Sequence, residues 1–143
     1  MCEKMQTDFL DAHERHWRDA ELLWQQKRLA NADHLFGIAA ECGLKRLMLA
    51  FDMPFGQKKQ NMPDNKADQV HANGIWDRYE SYRSGHVRGA GYALSIGNPF
   101  SNWDVNQRYA PESEFDEIRV ESHRQGAKQA NQLIRKALGD GLI

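Results

Sequence analysis

The sequence predicts an all-α protein, an up-and-down four-helix bundle with a long ordered loop before the last helix. In four segments apolar residues recur three and four positions apart, the period of a helix that buries one face. The longest of these segments, residues 31–51, is apolar around so much of its circumference that neighbours must cover it on several sides. Two stretches rich in glycine, proline and asparagine separate the later segments and break any continuous helix.

The composition is that of an ordinary globular protein. The 143 residues are 41% hydrophobic and 27% charged, which predicts one domain covering the whole chain. Its 19 basic and 20 acidic residues lack the basic excess that is usual in dedicated DNA-binding proteins. Cys2 and Cys42 are too few for a disulfide framework, so we expect reduced thiols and a cytoplasmic location. The charged N-terminus has no apolar signal core, and charges interrupt residues 31–51, so we expect neither export nor contact with a membrane.

The first two helices are predicted at residues 7–28 and 31–51. Thr7 or Asp8 is the expected N-cap of the first helix, and Asn31 or Asp33 that of the second. The short break between them makes the two helices antiparallel neighbours. The inward stripe of the first helix is expected to comprise Phe9, His13, His16, Ala20, Leu23 and Lys27, with Trp17 and Trp24 beside it.

The later half of the chain predicts two more helices and two irregular stretches. A loop at residues 52–68 precedes a third helix at 66–84. Residues 85–111 hold too many apolar side chains for a disordered linker, so we expect an ordered loop that folds back over the bundle. The last helix starts after Pro111, with Ser113 as its cap, and runs to about Leu138, where Gly139 stops it. Its expected inner stripe is Phe115, Ile118, Ser122, Gly126, Ala130, Leu133 and Ala137.

Three segments carry a resemblance to a known family. Residues 32–45, ADHLFGIAAECGLK, have the form A-x-x-L-x-x-x-A-x-E-x-x-L-K, and a second segment places His71 ahead of Ile75 and Trp76. Trp103 and the Arg108-Tyr109 pair precede the last helix. In these segments the chain resembles HEPN domains. The resemblance implies a helical bundle, often a homodimer, encoded on mobile-element or defence loci of the toxin–antitoxin kind, with a partner such as a nucleotidyltransferase.

Many proteins of that family are metal-independent ribonucleases with an Arg-x4-6-His motif at their last helices. There the arginine stabilises a phosphorane and the histidine handles protons. This chain departs from the motif, because Arg119 and His123 are only four positions apart, although Arg28 and His34, between the first two helices, have the right spacing. We name Arg119 and His123 as the candidate catalytic pair, since positions four apart share a helix face and both could reach a phosphate. An ordinary solvated or dimer-facing surface is the favoured alternative.

Residues 83–91, RSGHVRGAG, are the candidate anion or nucleotide site. Arg83, His86 and Arg88 surround glycines whose backbone N–H groups could approach a phosphate. The stretch has no phosphate-loop signature, and a purely structural loop is the alternative.

A structural polar cluster is predicted around the second helix. Glu41 stands in an otherwise apolar stretch and needs a partner, which His13, His16 or Arg108 could supply. A metal shared by His13 and His16 is the alternative, but a lone helical His-x-x-His pair is weak evidence for one. We therefore predict neither a metal nor a cofactor.

Three functional hypotheses remain. The preferred one is a non-enzymatic HEPN-like accessory module that binds RNA, a nucleotide or a partner protein. The first alternative is a divergent metal-independent ribonuclease, in which His123 would act as acid and base and Arg119 would neutralise developing charge. The second alternative is a purely structural homodimer.

Overall fold

The computed structural model describes residues 5–143, so the predicted reduced thiol of Cys2 lies outside the described residues. Four α-helices form the described chain: α1 (Phe9–Gln25), α2 (Leu29–Ala50), α3 (Ala72–Ser84) and α4 (Glu117–Gly139). Residues 5–143 contain no strand, only an isolated bridge between Phe55 and Pro63. The predicted all-α four-helix class is confirmed. None of the helices in this range is long and apolar enough to cross a bilayer.

At the ends of α1 and α2 the structure confirms one predicted cap and corrects two other expectations. Asp8 caps α1, and its carboxylate accepts a hydrogen bond from the Asp11 N–H at 3.0 Å. The helix ends before Lys27, which has a φ of 61° and is exposed, so its predicted place in the inward stripe is wrong. The α2 helix begins already at Leu29, with Arg28 at the cap position. Asp33 is therefore not a cap but a fully buried residue inside the helix.

The starts of α3 and α4 lie later than predicted. Residues 66–68 form a 3-10 segment, and α3 itself begins only at Ala72. Residues 112–114 form another 3-10 segment, so Asp116 replaces Ser113 as the cap of α4 and accepts from the Arg119 N–H at 2.8 Å.

The buried face of α4 differs from the predicted stripe at its first turns. Ile118 is 85% exposed and Ser122 is also exposed. Because Phe115 precedes the helix instead of belonging to it, a stripe counted from Phe115 is out of phase at that end. The buried residues of α4 are Val120, His123, Gly126, Ala127, Ala130, Leu133, Ile134 and Ala137.

The α2 helix lies at the centre of the bundle. It is antiparallel to α1, where the Trp17 ring lies 5.9 Å from that of Phe36. Ion pairs join Glu14 to Arg135 and Glu21 to Arg124, so α4 is also antiparallel to α1 and runs in the same direction as α2.

Contacts of α3 likewise advance along α2 in the chain direction. His71, just before α3, contacts Glu41, and Tyr79 within it packs on Phe51 at 6.2 Å between ring centroids. The alternation of directions that an up-and-down bundle implies therefore holds between α1 and α2 only. The connections at residues 51–71 and 85–116 are long because each brings the chain back to the end where the next helix starts.

Residues 85–116, which we call the long loop, are part of the core. Phe100 and Trp103 are at most 1% exposed. Glycines make room for both rings on the helices, because a Cβ atom at Gly37 would lie 2.1 Å from Trp103 Cε2, and one at Gly126 would lie 2.7 Å from Phe100 Cε2. The expected ordered loop therefore folds over the bundle by placing aromatic rings against helix backbone.

Candidate functional site

A cavity of about 270 Å³ lies at the N-terminal end of α2. We call it the arginine cavity, and it is lined by Arg28, Ala30, Asn31, Gln107, Arg108, Ala110 and Glu112. Neither Arg28 nor Arg108 forms an ion pair within residues 5–143. No side chain caps this end of α2, whose first backbone N–H groups have no partner within the helix. The cavity thus combines two guanidinium groups with backbone donors.

A short 3-10 segment at Val105–Tyr109 positions the far wall of the cavity. Asp104 caps this segment by accepting from the Asn106 N–H at 2.7 Å. The Arg108 guanidinium lies 4.8 Å from the centroid of the Tyr109 ring, and that ring is 77% exposed. The Gln107 amide donates to the buried Asp33 carboxylate, which ties the wall to the core.

Glu112 is the acidic residue of the cavity lining. Within the described chain its carboxylate makes no ion pair with either arginine. Two guanidinium groups against one carboxylate leave the lining net positive.

The structure brings the candidate catalytic residues together at Asn102. His123 is fully buried, with Nδ1 2.5 Å from Asp33 Oδ1 and Nε2 2.7 Å from Asn102 Oδ1. Arg119 is half-buried and donates to the Asn102 carbonyl. A surface position for both residues, whether catalytic or simply solvated, is therefore wrong for His123, because α4 turns that side chain into the core.

Asp33 is the central residue of this network, and the sequence analysis missed it. Besides His123 it contacts two residues of the long loop: its carboxylate accepts from Gln107, and its backbone carbonyl accepts from Trp103 Nε1 at 3.1 Å. The available signal was its register, since an acid three positions before Phe36 and seven before Ala40 lies on the buried face of α2 and needs a partner.

Residues 83–91 do not form an open anion site. Arg83 is paired with Glu80, and its Nε lies 2.8 Å from Glu80 Oε2. His86 Nε2 lies 3.0 Å from Asp52 Oδ2, and its Nδ1 accepts from the Arg88 N–H. Arg88 is exposed and has no ion pair within residues 5–143. Two of the three predicted anion ligands are thus already engaged by carboxylates.

The polar cluster forms around Glu41 with different partners from those predicted. Lys45 Nζ lies 3.0 Å from Glu41 Oε2, and His71 Nδ1 lies 3.1 Å from Glu41 Oε1. His16 is half-buried on α1, and Arg108 belongs to the arginine cavity. The expectation that His13, His16 or Arg108 satisfies Glu41 by a direct bond is therefore wrong, because Lys45 on the same helix and His71 before α3 lie closer.

His13 is satisfied separately in the core. Its Nδ1 donates to the Ala39 carbonyl at 2.7 Å, and its Nε2 lies 3.0 Å from Asn131 Nδ2. Burial lowers the pKa of His13, against the opposing effect of the Ala39 carbonyl. A neutral ring matches this arrangement, because Nδ1 faces an acceptor and Nε2 faces a donor.

The remaining histidines of α1 and α2 are half-buried, and both have lowered pKa values. Burial lowers the pKa of His16, with a further contribution from Arg15. His34 stacks on the Trp103 ring at 5.8 Å between centroids, and burial followed by the Arg108 charge lowers its pKa. Arg28 occupies the N-cap position of α2 and lines the arginine cavity, whereas His34 is half-buried against Trp103, so this pair also fails to form a joint site.

Cysteine and metal chemistry receive no support from the geometry. Cys42 is free and buried, and burial raises the pKa of its thiol to about 12, so the thiol stays protonated at neutral pH. In the described part of the chain no group of three or more histidine, cysteine, aspartate or glutamate side chains is arranged to hold a metal ion.

Comparison with known proteins gives no match to a family model, to a curated protein or to a solved structure. Residue chemistry and geometry therefore carry the functional proposal.

Proposed function

We propose that this chain is a HEPN-like binding module that takes a phosphate-bearing ligand, RNA or a nucleotide, in the arginine cavity. The observation that carries the proposal is the pair of guanidinium groups, Arg28 and Arg108, which line one cavity and have no ion pair within residues 5–143. Like charges facing one cavity repel each other, and a bound anion relieves that repulsion. Five other arginines have carboxylate partners: Arg15, Arg78, Arg83, Arg124 and Arg135. Four more form no ion pair within residues 5–143, namely Arg18, Arg46, Arg88 and Arg119, so the proposal rests on the shared cavity of Arg28 and Arg108 and not on missing partners alone.

The donor set suits a phosphate monoester or diester. Guanidinium groups bind phosphate oxygens in a bidentate manner. The backbone N–H groups at the start of α2 and the positive end of its helix dipole both favour an anion at the same place. Asn31 and Gln107 add amides to the lining. The exposed Tyr109 ring beside Arg108 offers a face on which a base can stack.

The segments that carry the resemblance to HEPN domains lie against one another in this fold. Glu41 and Lys45 of the α2 motif meet His71 of the second motif. Trp103 of the third motif packs on α2 at Gly37, and Arg108 of the same motif lines the arginine cavity. A homodimer, a nucleotidyltransferase partner and a place in a defence system are implied by the resemblance and stay predictions.

Replacing Arg28 and Arg108 together by alanine is expected to weaken binding of a labelled single-stranded RNA at least tenfold. Each hydrogen-bonded contact to a charged group contributes about 1.5–3 kcal/mol. Fluorescence anisotropy at two salt concentrations measures the loss, and the dependence on salt should become shallower. Glu112→Gln should act in the opposite direction and tighten binding about two- to threefold, since it removes a carboxylate from the lining.

The matched control is Arg18→Ala with Arg88→Ala. Both residues are exposed and have no ion pair within residues 5–143, so the control removes the same charge elsewhere on the surface. An equal loss in the control would show attraction by net charge alone and would reject the arginine cavity.

A metal-independent ribonuclease is the second candidate, and one arrangement favours it. Asp33 holds Nδ1 of His123, as a general base requires, and Nε2 faces the exposed Asn102. The Arg119 guanidinium donates a hydrogen bond to the backbone carbonyl of Asn102. Displacement of Asn102 would open one space to both His123 and Arg119, where the histidine could accept a proton from a 2′-hydroxyl and the arginine could neutralise the charge that develops.

This candidate predicts that the protein cleaves total tRNA in EDTA and that Arg119→Ala abolishes cleavage. Arg119 is the better probe because it is half-buried, whereas His123→Ala would also disturb the core. Lys128→Ala on the exposed side of α4 is the matched control and should cleave like the wild type. Intact tRNA with wild-type protein, analysed on a denaturing gel, would contradict the ribonuclease.

A further inference from the structure

Three lysines gather at the opposite end of the bundle from the arginine cavity. Lys58, Lys59 and Lys66 line one shallow depression of about 340 Å³, and the rest of its lining is Met62, Pro63, Asp64 and Gln69. We call residues 54–66 the lysine loop. It follows the C-terminal end of α2, and a 22-residue helix is about 33 Å long. The depression therefore lies toward the C-terminal half of α2, up to about the length of that helix from the arginine cavity.

The backbone of the lysine loop is held without its lysine side chains. The Gly56 N–H donates to the Met62 carbonyl and the Asp64 N–H to the Pro54 carbonyl, each at 3.0 Å. Asp64 Oδ1 accepts from two further backbone N–H groups, those of Gln57 at 2.8 Å and Lys58 at 3.1 Å. Thr7 joins the loop to the chain ahead of α1 through two hydrogen bonds to Asn61.

The three ammonium groups are left available by this arrangement. None forms a side-chain hydrogen bond or an ion pair within residues 5–143. The one carboxylate of the lining, Asp64, is committed to backbone N–H groups. The chain as a whole has a net charge of -1, so the positive character of the depression is local and not a general surplus.

We propose that the lysine loop is a second phosphate contact, and that the ligand is a single-stranded RNA that reaches both ends of the bundle and not a mononucleotide. This inference rests on the proposed function of the arginine cavity. A strand stacked as in a duplex, at about 3.4 Å per nucleotide, needs on the order of ten nucleotides to span about 33 Å, and an extended strand needs fewer. Met62 and Pro63 provide an apolar floor for a sugar or an unstacked base, while the lysines contact the backbone.

The test compares RNAs of two lengths on two variants. The lysine variant is Lys58→Gln with Lys59→Gln and Lys66→Gln, and the cavity variant is Arg28→Ala with Arg108→Ala. Oligouridylates of about four and about twenty nucleotides are the probes, since only the longer one spans both sites. Wild-type protein should bind the long RNA more tightly than the short one.

The lysine variant should bind the long RNA about tenfold more weakly and should bind the short RNA like the wild type. Its salt slope for the long RNA should fall by about 2, because each contact to a single strand contributes about 0.7. The matched control, Arg18→Gln with Arg88→Gln and Lys128→Gln, removes the same charge from exposed positions and should change neither affinity by more than a factor of two or so.

The outcomes separate the inference from the proposed function. If the lysine variant keeps the wild-type preference for the long RNA, or if the control loses as much, the lysine loop is not a contact and the arginine cavity stands. If the cavity variant binds both RNAs like the wild type, the proposed function fails and a lysine loop that still affects the long RNA acts alone. Lysine-dependent binding to phosphatidylserine vesicles with no effect on RNA would assign the loop to a membrane and overturn the inference.

Discussion

Asp33→Ala is expected to lower the free energy of unfolding by about 3–5 kcal/mol, because it removes the acceptor shared by two side-chain donors and opens a buried site, and each donor left unpaired costs about 1–3 kcal/mol. The carboxylate faces His123 Nδ1 at 2.5 Å, and both residues have no exposed surface. Without it, the buried imidazole loses its acceptor, and the Gln107 amide at the edge of the arginine cavity loses another. The loss also weakens the long loop, since Asn102 and Gln107 are both connected to this network.

Thermal unfolding measures the effect, and the midpoint should fall by about 10 °C. Asp116→Ala is the matched control, because Asp116 is an aspartate that only caps α4 and its removal should cost about 1 kcal/mol. The double variant Asp33→Ala with His123→Ala should lose less than the sum of the two single variants, as coupled residues do. A loss for Asp33→Ala no larger than that of the cap would show that the network contributes little.

Gly37→Ala is expected to cost about 3 kcal/mol of unfolding free energy, against the usual preference of a helix for alanine. In a helix interior, alanine is favoured over glycine by about 1 kcal/mol. Here the added Cβ atom would lie 2.1 Å from Trp103 Cε2 and 2.2 Å from Trp103 Nε1, so the indole must move. That movement breaks the indole hydrogen bond to the Asp33 carbonyl and opens the packing of a residue that is 1% exposed.

Gly97→Ala is the matched control for this prediction. Gly97 lies in the long loop that also carries Trp103, and a Cβ atom there would meet nothing within 4 Å. The unfolding free energy of this variant should therefore change by less than about 0.5 kcal/mol. Chemical denaturation of both variants gives the comparison. Gly37→Ala with Trp103→Leu should lose less than the sum of its single variants, since a smaller side chain relieves the contact. A stabilised Gly37→Ala would show that Trp103 does not pack on α2 as described.

Local signals predicted the presence of all four helices and the cap of one of them. The three-and-four spacing located all four helices, and Asp8 caps α1 as predicted. The errors lie where a local signal had two meanings. Aspartate and serine are common helix caps, and on that ground Asp33 and Ser113 were candidates. In the structure Asp33 is buried within α2, and Ser113 lies in a 3-10 segment before α4. Short polar side chains favour helix starts in general, but the energy of the whole fold decides which start is used.

The candidate sites were harder to predict, because charged groups choose partners by distance in space. Arg83 and His86 are side chains that can bind an anion, but in the folded chain they are paired with the carboxylates of Glu80 and Asp52. The arginine cavity joins Arg28 to Arg108, and no short motif in the sequence links positions so far apart.

The sequence by itself determined the all-α class, the four helical segments and the need for an ordered loop, since these follow from periodicity, glycine, proline and apolar content within short windows. Tertiary structure alone decided the directions of α3 and α4 and the pairing of the polar side chains, whereas the short connection between α1 and α2 already predicted that these two are antiparallel. Asp33 and His123 are 90 positions apart, and they meet because α2 and α4 run in the same direction while Trp103 and Asn102 of the long loop close over them. A buried charge is stable only beside its partner, and the path of the whole chain determines where that partner lies.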